Sequence, residues 1–245
     1  MLKVFNCNLH IHTCLSPCGD LDMHPSALVK ESLACGLDVI AITDHNSSEN
    51  VEYVMKVANA TSLMVLPGME VASREEAHVL TYFDDLEILR AFQDVVYSHL
   101  DGLNDENAFG CQAIVNEIGE VEGFNQRLLI GATRISLEGL VNVVHDMGGL
   151  AVAAHIDRES FSVLGQLGFI PEQIAFDALE ISARTPIVKA RQMYPELAQY
   201  TFITSSDAHY LMDIGKTATK IRMKEPSVEE MRMAFMKKDG REVVE

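Results

Sequence analysis

The sequence predicts an α/β protein built on a parallel sheet, either open or closed into a barrel. Three observations carry that expectation. Strand-like and helix-like segments alternate along most of the 245 residues, the pattern of repeated β-then-α units. Histidines and acids recur at the carboxyl ends of the strand candidates. The composition, 48% hydrophobic against 22% charged, is that of a globular chain long enough to bury a sizeable core.

The first strand candidate, LKVFNCNLHI (2–11), runs through a tight turn into the helix PSALVKESLACG (25–36). Pro25 stands near the start of that helix and Gly36 just past its end, as helix termini favour. DVIAIT (38–43) is a short apolar, β-branched run and reads as a buried strand bounded by Asp44-His45-Asn46. A helical spacing at 49–60 is followed by the extended SLMVLPGMEV (62–71), the strand AHVLTYF (77–83) and the helix LEILRAFQDVVYSHL (86–100). Residues 101–127 are polar, glycine-dotted and weakly periodic, and read as an insertion over the core. Alternation resumes with a helix at 136–149, strands LAVAAH (150–155) and ALEIS (178–182), and a helix after Thr185-Pro186. The strand TFITSSDAH (201–209) and a closing helix at 227–240 follow, where Ser227 and Glu230 fit a capping box. No low-complexity linker interrupts the chain, so one domain over 1–245 is expected.

Bulk properties set limits on function. Against 19 basic residues stand 36 acidic ones, a formal charge of −17. A broad nucleic-acid surface needs a basic stripe to displace counterions, so no long nucleic acid is expected as a partner, whereas a small phosphorylated substrate is compatible. No apolar run approaches the roughly 20 residues of a membrane span, and the N-terminus lacks a signal-peptide pattern, so no membrane partner and a cytoplasmic location are expected. Five cysteines without secretory context read as free or packed thiols rather than a disulfide framework.

The polar residues hold the chemical content. In HIHTCLSPCGD (10–20) two histidines stand one residue apart, and strand alternation points them the same way. Asp44 and His45 follow VIAIT, Glu70 follows LMVLPGM, His78 adjoins VLTYF, His155 ends LAVAA, and Asp207 and His209 follow FITSS. Parallel α/β sheets and barrels gather their sites at this end of the strands. Each residue alone has an ordinary structural reading; six histidines recurring with acids at one end read as a metal cluster. A mixed imidazole and carboxylate set suits zinc, manganese or iron better than the all-oxygen shell of magnesium or calcium. His24, His99 and His145 lack this placement and read as structural or surface residues.

NLHIHT, AITDHN, GMEV, AHVL, AAHID and SSDAHY occur here in the order of the PHP family, the polymerase and histidinol phosphatase domain. The chain most resembles the small bacterial PHP phosphoesterases acting on nucleotide-type phosphate esters. The resemblance spans Val4 to about Thr217, apart from the segment at 101–127. It implies a distorted (β/α)7 barrel with two to three divalent metal ions at the carboxyl ends of the strands. Carried over by motif, His10, His12, Glu70 and Asp207 hold a first metal. His45 and His209 hold a second, with an acid from the loop after HIHT. Glu70 bridges to a third, completed by His78 and His155. Asp44 reads as an orienting residue.

Two departures stand out. Where the family has the aspartate of HTxxSDG, this chain has Pro17; Asp20 is the expected replacement, with Asp22, Cys18 or a water as alternatives. Where the family often begins DLHxH, this chain has Asn8. The chemistry implied is hydrolysis of a phosphate ester by a metal-activated hydroxide. Asp207, His209 and Arg158 are the catalytic candidates, and Arg158, Arg184 and Arg134 are candidates to grip the phosphate, since their fork suits its oxygens. Two rival expectations are an amidohydrolase-like C–N hydrolase, which commonly carries a bridging lysine that this chain lacks beside its motifs, and a non-catalytic metal-binding module.

Overall fold

A computed structural model describes residues 1–244. Eleven strands and eight α-helices follow one another as β1 (Lys3–Ile11), α1 (Pro25–Ala34), β2 (Val39–Ile42), α2 (Val51–Ala58), β3 (Met64–Ala72), β4 (His78–Tyr82), α3 (Leu86–Ser98), α4 (Glu106–Phe109), β5 (Ala113–Val115), β6 (Val121–Phe124), α5 (Leu137–Asp146), β7 (Leu150–Ala153), α6 (Val163–Leu167), β8 (Ala178–Ile181), α7 (Ile187–Met193), β9 (Phe202–Thr204), β10 (Thr219–Met223), α8 (Val228–Phe235) and β11 (Glu242–Val244).

Nine strands form one sheet in the order β11-β10-β1-β2-β3-β4-β7-β8-β9. The seven from β1 to β9 curl until the end of β9 meets the end of β1. There Ile11 bridges Ala208, and the His12 N–H donates to the Ala208 carbonyl at 3.0 Å. Contact is confined to that end because the first half of β1, Lys3 to Cys7, is paired with β10 instead. The result is a nearly closed, distorted seven-stranded barrel with β10 and β11 as an outer flap. β4 distorts it further: it runs antiparallel to both neighbours, β3 and β7.

Apolar residues fill both faces of the sheet, as expected for strands covered on two sides. Leu9, Ala41, Leu66, Tyr82, Val152 and Ile203 form one cluster with Met231 and Phe235 of α8, while Ile40, Met69, Val79, Ala151 and Leu179 pack on the outer helices. The capping box at α8 forms only in part. Ser227 Oγ accepts from the Glu230 N–H at 3.2 Å. The Glu230 carboxylate turns away to Arg241, whose Nε and Nη2 donate to it at 2.7 Å each, because a guanidinium fork offers two charge-assisted bonds and the capping N–H offers one.

The segment at 101–127 folds as α4 and the β5–β6 hairpin and lies over the turn after β1. The Ala113 N–H donates to the Cys14 carbonyl at 3.0 Å, and Asn50 bridges both segments through Thr13 and Ala113. Leu15, Leu100 and Leu129 form a small apolar cluster beneath it. β10 and β11 are not foreseen by sequence periodicity; they are short, outer, and partly exposed. Among the described residues no helix is long and apolar enough to cross a membrane.

Candidate metal centre

Six segments converge at one end of the barrel. His10 lies in β1 and His12 just beyond it; Asp44 and His45 follow β2; Glu70 lies in β3; His155 follows β7; Asp207 and His209 follow β9. His78 opens β4, and reaches the same end because β4 runs the other way, pairing His78 with Ala72. The backbone is strained here: His155 (φ 29°) and Asp207 (φ 48°) adopt left-handed conformations that L-residues hold only when surroundings enforce them, a state concentrated at functional sites.

The separations have the scale of ligands around an ion. His10 Nε2 and His12 Nε2 lie 3.1 Å apart, each is 3.2 Å from Asp207 Oδ1, and each is 3.4 Å from a Glu70 oxygen. A tetrahedral ion with bonds of about 2.05 Å sets its ligands about 3.3 Å apart. Glu70 Oε1 also lies 2.9 Å from His78 Nδ1 and 3.2 Å from His155 Nε2, while Oε2 lies 3.0 Å from His45 Nδ1. Three overlapping groups of donors lie close enough to share an ion: His10–His12–Glu70, His12–His45–His209 and His45–Glu70–His78. His155 Nδ1, in a residue 2% exposed, has no hydrogen-bond partner. The donor set and the spacing fit divalent ions.

Surrounding groups decide which ring nitrogens face the cluster. Ser16 Oγ donates its one hydrogen to Asp44 Oδ1 at 2.7 Å and accepts from the His45 N–H at 3.1 Å. Its remaining lone pair accepts from His12 Nδ1 at 3.0 Å, so His12 Nε2 is left unprotonated toward the cluster. Asp44 also accepts from the Thr13 N–H and hydroxyl, at 2.7 and 2.8 Å, and orients the turn rather than joining the cluster. Asn8 takes both roles an amide offers, donating to Ser206 Oγ and accepting from the Ser206 N–H, which ties β1 to the loop bearing Asp207.

Electrostatics divide the rings. Burial alone would lower His10, yet Asp207, Glu180 and Glu70 together hold it well above its ordinary value. Burial and the neighbouring His209 and His45 push His12 well below. Although desolvation opposes it, His78, His10 and His45 hold Glu70 well below the carboxylate range. Asp207 is held down in the same way by His10 and His12.

Two sequence candidates do not join the cluster. Asp20 is engaged locally: its Oδ1 accepts from the Asp22 N–H at 2.9 Å, and its own N–H donates to the His209 carbonyl at 2.9 Å. Cys18 instead lines the cleft together with His209. Its thiol reaches the imidazoles of His209 and His45, which overcome desolvation and bring it down to about 6. Arg134 points away, held by Asp101 at 3.1 Å and the Ser98 carbonyl at 2.9 Å. Arg158 and Arg184 line the cleft beside the cluster, and Arg158 Nη2 lies 2.5 Å from Asp207 Oδ2. Sequence reasoning missed Glu180, whose signal was an acid inside the apolar strand ALEIS. Fully buried, it accepts from His10 Nδ1 at 3.0 and 3.2 Å and from the His155 N–H at 3.1 Å.

This chain belongs to the PHP domain family, which it matches over residues 8–170. Residues 192–239 match the PHP-associated family. Among curated proteins, the uncharacterized protein YqxK of Bacillus subtilis is 29% identical over 106 residues, 41% of this chain and 27% of YqxK. Among solved structures, the lesion-specific endonuclease Q of Pyrococcus furiosus superposes with a TM-score of 0.75 at 17% identity, covering 98% of this chain and 58% of that one. A complex of endonuclease Q with a 27-mer duplex carrying an abasic lesion gives 0.70 at 15% identity, again over 98% and 58%. This chain therefore spans little more than half the length of those proteins. An amidohydrolase of Chromobacterium violaceum gives 0.59 at 18% identity over 86% and 90%. The endonuclease Q complex overturns the exclusion of long nucleic acid drawn from net charge: the same fold carries a duplex at its active site. Formal charge sums the whole surface, whereas a duplex meets only the local field of one face.

Proposed function

We propose that this chain is a metal-dependent phosphoester hydrolase acting on a nucleotide-type phosphate ester. The observation that supports the reading is the cluster's setting. It opens into a small pocket of about 140 Å³ bounded by His78, His155, Phe161 and Arg158. That pocket adjoins a cleft of about 760 Å³, with which it shares Arg158, Phe161, Asp207 and His209. The inner pocket suits a phosphoryl group, and the cleft suits the rest of a substrate.

In this reading His10, His12, Glu70 and Asp207 would hold a first ion, His45 and His209 a second, and His78 and His155 a third with Glu70. Divalent zinc, manganese or iron, when bound by these residues, would supply Lewis acidity toward the phosphoryl group and a more acidic water. The chain's own residues supply the rest. Arg158, partly exposed and anchored on Asp207, turns its remaining N–H groups to the phosphoryl oxygens, where charge develops in the transition state. Arg184 lies farther along the cleft wall, placed for a second phosphate or the ester's far side. Phe161 stacks on His78 with ring centroids 5.0 Å apart and screens that side of the cluster from water. His209 Nδ1 donates to the Asp207 carbonyl at 2.9 Å, which leaves Nε2 as the nitrogen with a free lone pair.

The test is metal content per chain together with phosphate release from nucleotide monophosphates and bisphosphates, with cleavage of an abasic-site duplex as a parallel arm. Amide and lactone panels separate a C–N hydrolase. Two to three ions with phosphoester turnover that is lost in Asp207→Asn is the expected result. Turnover confined to amides or lactones, or full metal occupancy with no turnover, defeats the proposal.

A further inference from the structure

We propose that Cys18 supplies a thiolate ligand to the ion held by His45 and His209, and that this position consequently prefers a thiophilic ion such as zinc over manganese. The inference rests on the metal reading above and adds to it a ligand and a selectivity.

His12, His45 and His209 offer three nitrogens that lie within 4.8 Å of one another. Their rings are crowded, with centroids 4.2 Å apart for His12–His209 and 4.6 Å for His12–His45. Three imidazoles packed this closely repel when protonated and gain when they share a cation. Glu70 reaches this group through His45, at 3.0 Å, and more distantly through His12, at 3.4 Å. The Cys18 thiol lies within reach of both His45 and His209, at the cleft mouth.

The backbone holds the thiol there. A Cβ on Gly19 would stand 2.5 Å from the Thr13 carbonyl, so only glycine permits the turn that follows Cys18. Ahead of it, Gly110 packs so closely on Pro17 that a Cβ would lie 2.4 Å from the Pro17 carbonyl. Asp20, the acid nearest in sequence, is committed to its own turn. The other four cysteines do not share this setting: Cys7 and Cys14 lie in apolar clusters, while Cys35 bonds to the Ile214 carbonyl and Cys111 lies in the overlying segment. A thiolate carries the same single negative charge as an aspartate, so overall charge balance is kept while the donor becomes softer, which favours zinc over manganese. On binding, the thiol proton leaves to solvent.

Cobalt(II) added to the metal-free full chain is the probe. The expected result is a near-ultraviolet thiolate-to-cobalt charge-transfer band, and, in the zinc form, one metal–sulfur distance of about 2.3 Å by X-ray absorption. Cys18→Ser removes both signals and one ion per chain. Cys18→Asp restores the ion without the band and shifts preference toward manganese, which also shows that the loop still folds. Asp20→Asn leaves the band in place. Cobalt binding without a band, a band that survives Cys18→Ser, or a band lost in Asp20→Asn overturns the proposal. A chain that binds no cobalt, zinc or manganese overturns the metal reading itself.

Discussion

Glu180 and His10 meet at 3.0 Å on the side of the imidazole turned away from the cluster. The carboxylate holds Nδ1–H, and the same ring therefore presents Nε2 to Glu70 and Asp207. Such partners of metal-bound histidines fix tautomer and orientation. Glu180→Gln keeps the size of the side chain, loses its charge and can present its N–H to the ring. It is expected to weaken binding of the tightest ion on the order of 10–100-fold, read by chelator competition, with an unchanged circular dichroism spectrum. Unaltered affinity would reduce Glu180 to a core-packing residue.

The Cys18 thiol should be the most reactive in the metal-free chain. Its value falls from the ordinary 9.0 to about 6 because His209 and His45 bond to it. Cys7 and Cys14 move the opposite way, since burial raises both. Peptide-resolved alkylation should show a midpoint near 6 for Cys18 alone. Because the folded value lies below the unfolded one, the stability tied to this thiolate is present above 9.0 and lost as pH falls through about 6. Bound zinc should protect the thiol.

Arg158→Met removes the guanidinium from both pocket and cleft. On the phosphoester reading kcat/KM should fall on the order of 10²-fold, with metal content unchanged, since Arg158 meets Asp207 through Oδ2 whereas the histidines meet Oδ1. A loss of metal in this variant would make Arg158 a positioning residue for Asp207 instead.

Chelation should lower the thermal midpoint. Ions bound only by the folded chain stabilise it by mass action, and their removal leaves several imidazoles and acids crowded at low exposure. Restoring zinc or manganese should restore the midpoint, and the restoration should weaken as pH falls, because His45 and His209 both have raised values and protons compete for their nitrogens. An identical midpoint with and without metal would count against the cluster as a metal site.

Far from the cluster, Arg241 and Glu230 pin the final turn to α8. The Arg241 bonds hold Glu230 down to about 2. Since that lies below its ordinary 4.5, the contribution is present above 4.5 and lost as pH falls toward 2. Arg241→Met should lower the thermal midpoint by several degrees at neutral pH and leave activity per folded molecule intact; at pH 2 the difference from the unaltered chain should shrink.

The sequence by itself determined the α/β order, the family, and most residues of the cluster. That was possible because histidines and acids placed at strand ends stand out against apolar strands, and strand ends of one sheet necessarily meet. Asn8 and Asp44 were legible as departures or orienting residues for the same reason. Other features were decided only by the tertiary structure. Loop path selects between Cys18 and Asp20, two residues apart, and that path depends on Gly110 of a distant segment closing over Pro17. Arg134 was excluded by its contacts with Asp101 and Ser98, which sequence distance does not reveal. Glu180 was hidden because an acid in a short strand has no local signature of its partner; His10 lies 170 positions away. The reach of His78 depended on the direction of β4, set by its pairing with β3 and β7 rather than by its own residues. Local pattern assigns residues to strand ends, but long-range pairing and packing decide which atoms meet there.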